Sequence, residues 1–329
     1  MKVLVTGATG FLGIHLCREL VSAGWLVTAM HRAASDVSQI QAMGVCCAEA
    51  DLGNPEGLRR AVAGHDAVIH AAADIRYWSP NPEQTRLTNV AGTANVARAC
   101  RLEKVGRMLY VSSAAAIGIP GDARQPADEN FPFNLKGTAF QYHISKKQGE
   151  EAVLNEVSAG LDAVIVNPTS IFGPHGSSYR GGEMIRKVTS GRWAPYFRGG
   201  ISTVHVADVV NGTLAALEQG RRGTRYILGG ENISYFDIAG RTLDALHLRR
   251  PRIPVPGLLA GTLARTMSAV SSFTKRRPRF SLTTHYLSSR HQYYCSDRAR
   301  SELGYQPRDF NAILAEFLSM CSNEKAGGR

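Results

Sequence analysis

Short apolar segments and longer amphipathic segments alternate along the first half of this chain. Six segments of four or five residues are apolar on both faces and predict buried β-strands at 3–6, 26–30, 45–48, 67–71, 108–112 and 163–167. Between them, apolar residues at helical spacing predict helices at 11–23, 55–63, 83–101 and 144–159. Strands buried on both faces and separated by helices are typical of parallel sheets covered by helices. We therefore predict an α/β fold with a doubly wound parallel sheet.

The pattern becomes less regular after Pro168. A glycine-rich segment at 173–182 precedes a helix, a strand at 203–206, a helix through Glu218 and a strand at 226–228. Ser234 is placed to cap a further helix at 235–248. We expect a large domain at 1–170, to which 200–228 return. A smaller C-terminal α/β part is expected at 171–199 and 229–329.

Composition and charge narrow the classes of function. Hydrophobic residues make up 44% of the 329 residues and charged residues 20%, which excludes intrinsic disorder as the main state. The net charge is +11, and residues 241–329 contribute +9 of it, with 15 basic and 6 acidic side chains. Such a charge fits nucleic acid, an anionic membrane surface or a phosphate-bearing small molecule.

Cysteine spacing and apolar run lengths indicate the compartment. The six cysteines show no C-x-x-C spacing, which argues against a zinc site and a disulfide framework and favours a reducing compartment. We expect no metal. The apolar run at the N-terminus is too short for a signal peptide, and no window is long enough for a membrane span. The expected location is the cytoplasm.

A glycine loop joins the first strand to the first helix. It reads Thr6-Gly7-Ala8-Thr9-Gly10-Phe11-Leu12-Gly13. Gly7 would permit a tight turn, Gly10 would let the backbone approach a pyrophosphate, and Gly13 would let the helix pack closely. The N-terminus of the helix would then face the phosphates. The alternative, an ordinary glycine-rich βα turn, is less consistent with this strand–helix context.

The spacing T-G-x-x-G-x-x-G resembles that of the short-chain dehydrogenase/reductase superfamily, in particular its extended branch of epimerases, dehydratases and reductases. The resemblance implies a Rossmann fold whose domain at 1–170 binds a nicotinamide cofactor through Gly7, Thr9, Gly10, Phe11 and Leu12. It further implies cofactor contacts from segments after later strands: Asp51, Leu52, Ala71, Ala72, Ala73, Asn89, Pro168 and Thr169. The C-terminal part would then bind the substrate.

The end of the second strand distinguishes the two nicotinamide cofactors. An NAD site normally has Asp or Glu there, about 20 residues past the glycine loop, to bind the ribose 2′-hydroxyl. Here the sequence is Ala29-Met30-His31-Arg32, without an acid. Arg32 could pair with a 2′-phosphate, so NADP(H) is favoured over NAD(H). Alternatively, Arg32 is a solvated surface residue.

Tyr142 and Lys146 have the Y-x-x-x-K spacing, which places both side chains on one face of a helix. A lysine ammonium beside a phenol would lower the pKa of the phenol from about 10 and suit it to acid–base catalysis. The family pattern V-S-S-x-x-x-x-G, which begins here at Val111, implies that Ser113 is the third catalytic residue. Ser112 is the alternative. Tyr142 and Lys146 would also contact the cofactor.

Further motifs refine the resemblance within the branch. The segments Ala73-Asp74-Ile75-Arg76-Tyr77-Trp78 and Tyr226-Ile227-Leu228-Gly229-Gly230 are similar to those of dihydroflavonol-reductase-like proteins, including the bacterial hopanoid-associated sugar epimerase group. Dehydratases of the branch have acids beside the catalytic hydroxyl, whereas Ala114 and Ala115 stand there in this chain. The chain is therefore expected to be an NADPH-dependent reductase that converts a ketone or aldehyde to an alcohol.

Two other functions stay open. A nucleotide-sugar epimerase would use the same Ser/Tyr/Lys chemistry, and Arg290 lies where such enzymes place a diphosphate-binding arginine. A non-catalytic NADP(H) sensor is the more remote alternative, since relatives of that kind commonly lose the Tyr and Lys. No nucleic-acid recognition element accompanies the basic charge.

The expected partner is a small carbonyl substrate, and a homodimer is left open. Residues 258–270 are apolar and precede the basic run 275–279, which fits either a substrate-domain helix with a solvated loop, the favoured reading, or peripheral membrane contact through 258–280. Substrate contacts are expected from six variable regions: 75–80, 117–120, His143, 175–180, 193–197 and 251–280.

Overall fold

A seven-stranded parallel sheet forms the centre of the N-terminal half. The computed structural model describes residues 1–76, 81–175, 178–190, 194–249, 252–274, 278 and 280–327. Up to residue 168 the elements are β1 (Lys2–Thr6), α1 (Phe11–Ser22), β2 (Leu26–His31), α2 (Ser38–Gln41), β3 (Cys46–Glu49), α3 (Pro55–Val62), β4 (Ala67–His70), α4 (Pro82–Arg86), α5 (Thr93–Leu102), β5 (Arg107–Val111), α6 (Gln141–Ser158) and β6 (Ala163–Pro168).

The C-terminal half contributes shorter elements. These are β7 (Ser170–His175), β8 (Ser178–Arg180), α7 (Gly182–Ser190), β9 (Ala194–Tyr196), β10 (Gly200–His205), α8 (Val206–Gln219), β11 (Arg225–Leu228), β12 (Glu231–Ser234), α9 (Tyr235–Ala245), β13 (Arg252–Pro254), α10 (Gly257–Thr274), α11 (Leu282–Ser288), β14 (His291–Gln292), α12 (Asp297–Leu303) and α13 (Phe310–Gly327). Ser234 caps α9 by accepting a hydrogen bond from the backbone N–H of Asp237, as expected.

The strand order of the large sheet is β11-β6-β5-β4-β1-β2-β3, with parallel pairing throughout. Side chains of α1 and α8 pack in a core on one face, and those of α3, α5 and α6 pack on the other. Strands covered on both faces must be apolar on both faces, which explains the continuous apolar runs of the sequence. The predicted doubly wound α/β fold is confirmed.

A second sheet has the order β12-β10-β7-β8, and β14 pairs with β10. It shares a core with α7, α9 and α13, in which Phe172, Ile233 and Phe310 are buried. Within the segment 200–228, β11 pairs in the large sheet and α8 packs on it, whereas residues 200–205 form β10 of the second sheet. Val204 of β10 nevertheless belongs to the core of the large sheet, and the proposed division into domains stays a prediction. Residues of α12 also join the core of the large sheet.

The helix expected at 83–101 is interrupted by a wider turn. A π-helical segment, Leu87–Gly92, lies between α4 and α5. Turns of this kind insert one residue into the helix and occur frequently at functional sites. This turn carries the buried Asn89.

Candidate active site

The glycine loop after β1 has a backbone that only glycine fits at two positions. Gly7 has a φ of +67°, and a Cβ there would lie 2.7 Å from the backbone of Ala72. A Cβ on Gly13 would lie 2.1 Å from the carbonyl oxygen of Gly7. The backbone N–H of Gly10, which caps α1, donates to that same carbonyl at 3.0 Å. The loop thus folds tightly against the start of α1.

A cleft of about 890 Å³ opens beside this loop. Nine of the expected cofactor residues line it, namely Gly7, Thr9, Gly10, Arg32, Asp51, Leu52, Ala71, Ala72 and Ala73. The others do not line this cleft: Phe11, Leu12, Asn89, Tyr142, Lys146, Pro168 and Thr169. The cleft continues along the C-terminal ends of β1, β2 and β4, the edge at which open α/β sheets bind ligands.

One wall of the cleft was not predicted from the sequence. Gln84, Leu87, Thr88, Ala91 and Asn95 line it from α4, the π turn and α5. Apart from the adjacent Leu87 and Thr88, these positions follow one another three or four residues apart, which is the spacing of a single helix face. That spacing was the available signal, although polar and apolar residues are mixed along it.

Two residues of the loop turn away from the cleft. The ring of Phe11 packs edge-on against His15, at 5.5 Å, and His175, at 5.4 Å between ring centroids. Leu12 packs against the core beneath the large sheet. Their side chains therefore support α1, and only their backbones remain at the N-terminus of the helix.

Arg32 is exposed at the end of β2 and lines the cleft. Within the part of the chain that the structure describes, its guanidinium has no carboxylate partner, and its backbone N–H donates to Ser35 Oγ at 3.3 Å. The second arginine of the cleft, Arg76, is neutralised by Asp74 through contacts of 2.8 Å and 2.7 Å. Arg32 is therefore available for an anionic group, whereas Arg76 is already paired.

The side chain of Asn89 makes hydrogen bonds to two other segments near the site, and its expected cofactor contact stays a prediction. Its side chain is 1% exposed. Its Oδ1 accepts a hydrogen bond from the Asp74 backbone N–H at 2.7 Å, and its Nδ2 donates to Asp74 O at 2.9 Å and to Ser145 Oγ at 3.0 Å. Asn89 thereby connects the segment after β4 to α6.

Ser113 and Tyr142 come together where β5 ends and α6 begins. Ser113 caps the short 3₁₀ turn Ala114–Ala116, and its Oγ accepts a hydrogen bond from the Ala115 N–H at 3.2 Å. Burial raises the pKa of Tyr142, and a side-chain hydrogen bond with Ser113 partly opposes that rise. Ser112 is buried and influences the pKa of Tyr110 instead. The geometry therefore favours Ser113 over Ser112.

Lys146 lies one turn after Tyr142 and is 1% exposed. Its Nζ donates to Val111 O at 3.0 Å and lies 4.4 Å from the ring centroid of Tyr110. Burial lowers the pKa of Lys146 to about 7, and the nearby Glu150 raises it. The expected lowering of the Tyr142 pKa by Lys146 is not seen in this arrangement, because the amine is directed at Val111 and Tyr110.

Behind Ser113, Tyr142 and Lys146 lies a buried polar network that was not predicted from the sequence. Asn167 Nδ2 donates to Ser113 O at 2.9 Å and to Glu150 Oε1 at 2.5 Å. The other carboxylate oxygen of Glu150 accepts from Arg225 Nη1 at 3.0 Å. Glu150 is fully buried. It lies four residues after Lys146, and that helical spacing was the only signal for its place near the site.

The two expected residues at the end of β6 lie beside β11. Pro168 is buried, and the backbone N–H of Thr169 donates to Leu228 O at 3.2 Å. The Thr169 hydroxyl is buried and has no hydrogen-bond partner among the described residues. It is therefore available to a bound group, although the cleft described above does not extend to it.

Aromatic side chains cover the other side of Tyr142. Phe140 packs against His143 at 5.7 Å and against Tyr286 of α11 at 5.1 Å between ring centroids. The guanidinium of Arg290 lies 5.1 Å from the centroid of Tyr286. Burial lowers the pKa of His143 to about 4, so its imidazole is neutral at neutral pH. Of the expected substrate regions, residues 77–80, 176–177, 193, 251, 275–277 and 279 lie outside the described residues.

Among the described residues, no group of three or more His, Cys, Asp and Glu side chains is arranged to hold a metal ion. In the same residues, no helix has the length and apolar character needed to span a bilayer.

Comparisons with known proteins agree with these features. A model of the NAD dependent epimerase/dehydratase family matches residues 3–229. The chain is 32% identical over 324 residues to a putative dihydroflavonol 4-reductase of Synechocystis sp. The aligned residues cover 97% of this chain and 94% of that protein. It is also 31% identical over 324 residues to sterol demethylase protein B of Methylococcus capsulatus, and the aligned residues cover 97% of this chain and 98% of that protein. The crystal structure of gox2253 has a TM-score of 0.83 at 33% identity over 98% of both chains. The family resemblance is confirmed.

Proposed function

The chain belongs to the NAD-dependent epimerase/dehydratase family, and on that premise we propose that it is an NADPH-dependent reductase that converts a ketone or aldehyde to an alcohol. The observation that carries the proposal is the position of Ser113 beside Tyr142, close enough to affect the pKa of that phenol, with the buried Lys146 one helical turn away. This set places a proton donor and a hydroxyl donor at one point.

In the proposed reaction, Tyr142 donates its phenolic proton to the carbonyl oxygen of the substrate while a hydride adds to the carbonyl carbon. A reduced nicotinamide supplies that hydride when it is bound. Because burial raises the pKa of Tyr142, the phenol stays protonated at neutral pH and can act as the acid. Ser113 donates a hydrogen bond to the same oxygen and stabilises the charge that develops on it.

The residues of the cleft fit a phosphorylated dinucleotide. The close approach of Gly7, Gly13 and Ala72 leaves the backbone N–H groups at the N-terminus of α1 accessible to a pyrophosphate. Arg32 would bind the 2′-phosphate of NADP(H), since it has no carboxylate partner among the described residues. Lys146 would hold the nicotinamide ribose, and Thr169 would contact the nicotinamide end.

The aromatic cover over Tyr142 favours an apolar carbonyl compound as substrate. Phe140, His143 and Tyr286 present rings and a neutral imidazole on that side. The names of two relatives, a dihydroflavonol reductase and a sterol demethylase protein, also refer to polycyclic compounds of low polarity. We therefore propose a polycyclic or long-chain ketone.

A nucleotide-sugar epimerase is the second candidate, and Arg290 is the observation that favours it. Its exposed guanidinium lies against the ring of Tyr286, on the side of Tyr142 where a substrate would bind, and it could pair with a diphosphate. The two candidates differ in what happens to the cofactor. A reductase consumes NADPH in proportion to product, whereas an epimerase returns its cofactor unchanged.

The test is a panel of steroid, flavonoid and 3-oxoacyl ketones, with NADPH or NADH and with UDP-sugars in parallel. We expect consumption of NADPH with at least one ketone.

Tyr142→Phe should lower kcat by about 10²–10⁴-fold, and Ser113→Ala by about 10²–10³-fold, while both variants still bind NADPH. Ser112→Ala is the matched control and should retain most of the activity. Full activity of Tyr142→Phe would refute the catalytic assignment, and sugar isomerisation without net cofactor consumption would favour the epimerase.

A further inference from the structure

Helix α10 presents a row of apolar side chains to solvent. The exposed fractions are 81% for Leu258, 67% for Leu259, 52% for Leu263 and 59% for Val270. The neighbouring face is packed, since Ala260 and Ala264 are buried. Leu259, Leu263 and Val270 are four and seven residues apart and therefore share one side of the helix. Exposed large apolar side chains grouped in this way mark an interaction site.

The charge around this helix has a single sign. Between Asp244 and Asp297 the chain has nine Lys and Arg residues and no Asp or Glu. Four of the nine, Lys275, Arg276, Arg277 and Arg279, directly follow α10 in sequence. An exposed apolar helix in a stretch of sequence with basic residues and no acids is complementary to a partner that is both anionic and apolar.

We propose that the exposed face of α10 docks on an anionic lipid bilayer, and that the basic run 275–279, which follows this helix in the sequence and lies mostly outside the described residues, adds to the attraction. Leucines of an interfacial helix enter the boundary between headgroups and acyl chains, and lysines and arginines bind anionic headgroups. An anionic bilayer satisfies both halves of this surface at once. A second copy of the chain does not, because it would bring the same positive charge to the contact.

The docking face lies on the substrate side of the catalytic residues. α10 packs on α11, where the backbone N–H of Leu282 donates to Ser268 Oγ at 3.1 Å. In turn, Thr283 Oγ1 of α11 donates to Ala139 O at 2.6 Å, and Tyr286 packs on Phe140, two residues before Tyr142. A docked molecule would therefore take an apolar ketone from the bilayer, a consequence that rests on the proposed function.

The first test is flotation of the full chain with vesicles of phosphatidylcholine alone or mixed with phosphatidylglycerol. Wild-type protein should float with the mixed vesicles at low salt, and most of it should dissociate from them at high salt. The apolar variant, L258S/L259S/L263S, should bind at least about tenfold more weakly, since the inserted side chains supply the apolar part of the binding. The charge variant, K275Q/R276Q/R277Q/R279Q, should bind at least about tenfold more weakly as well, because each lysine or arginine contributes to headgroup binding.

L26S/L102S is the matched control, because Leu26 and Leu102 are exposed leucines outside α10. It should bind like wild type. Thermal unfolding of every variant shows whether the fold is kept. No flotation of wild type at either composition, or equal flotation of the folded apolar variant, overturns the proposal. A dimer that the leucine substitutions dissociate, without vesicle binding, assigns the face to a second copy instead.

The vesicle experiment is independent of the proposed reaction. Ketone reduction by wild type without vesicles tests the enzyme activity, and flotation without cofactor or ketone tests the docking. Either result can fail while the other holds.

Discussion

Glu150 accepts a hydrogen bond of 2.5 Å from Asn167, although the two residues lie on different elements, α6 and β6. Asn167 also donates to the backbone carbonyl of Ser113, at 2.9 Å, so Glu150 and Asn167 together hold the segment after β5 that carries the proposed catalytic hydroxyl. The same carboxylate pairs with Arg225 and raises the pKa of Lys146. The buried Glu150 carboxylate thus acts on both proposed catalytic neighbours of Tyr142: on the position of Ser113 and on the pKa of Lys146.

We expect Glu150→Gln to destabilise the protein by about 3 kcal/mol, because removal of one partner from a buried ion pair leaves the other uncompensated. The pH profile of kcat should also move to lower pH, since the carboxylate no longer raises the pKa of Lys146. Urea unfolding and kcat as a function of pH measure the two effects. Glu151→Gln is the matched control, because Glu151 pairs with Lys147 on the surface, and should cost less than about 1 kcal/mol. An unchanged pH profile in a folded Glu150→Gln variant would leave Glu150 with a purely structural role.

The sequence predicted those features of the site that depend on local pattern. The glycine loop between β1 and α1 and the one-turn spacing of Tyr142 and Lys146 are each set within a few neighbouring residues. The contacts of Glu150 were not predictable, because Arg225 lies 75 residues away and reaches it only through the order of β6 and β11 in the sheet.

The sheet to which β10 belongs was not predictable for a related reason. All six residues of β10 are buried, and a strand with that pattern fits the centre of either sheet. Only its pairing with β7 and β12 places it in the second sheet. The direction of the Lys146 side chain was likewise not encoded in its spacing from Tyr142, since it depends on Val111 and Tyr110 of β5.

The lowered pKa of Lys146 predicts a dependence of stability on pH. Its pKa is about 7 in the folded protein and 10.5 ordinarily, so between these values the unfolded chain binds more protons than the folded chain. The free energy of unfolding should therefore rise with pH in this window, by at most about 1.4 kcal/mol per pH unit. A variant without this lysine should lack this part of the rise in the free energy of unfolding.

Urea unfolding of wild type and Lys146→Met across this window, without cofactor, measures the effect as the difference between the two proteins. Contributions of other titrating groups largely cancel in that difference. Lys147→Met removes a lysine from the adjacent position of α6 and serves as the control. A difference between wild type and Lys146→Met that stays constant with pH would contradict the prediction.

Arg32 should determine the preference for NADPH over NADH. We expect Arg32→Ala to lower the ratio of kcat/KM for NADPH to that for NADH by about 10–100-fold, because hydrogen bonds to charged groups contribute about 1.5–3 kcal/mol. Arg76→Ala is the control, since Arg76 lines the same cleft but is paired with Asp74. Its ratio should stay near that of wild type. An unchanged ratio in Arg32→Ala would mean that Arg32 is a solvated surface residue.

Gly13 is the position where an added methyl group should be most damaging. Its Cβ would lie 2.1 Å from Gly7 O and 2.7 Å from Ala8 Cα, and both are backbone atoms that cannot rotate away. The glycine loop would have to move off α1, which removes the turn proposed to hold the pyrophosphate. We expect Gly13→Ala to lower the melting temperature by several degrees and to weaken NADPH binding at least about tenfold. The measurements are a thermal melt and a titration of NADPH fluorescence.

Gly121→Ala provides the comparison, because a Cβ at Gly121 meets no atom within 4 Å, and it should match wild type in both measurements. If Gly13→Ala bound NADPH as tightly as Gly121→Ala does, the cofactor would not depend on this loop.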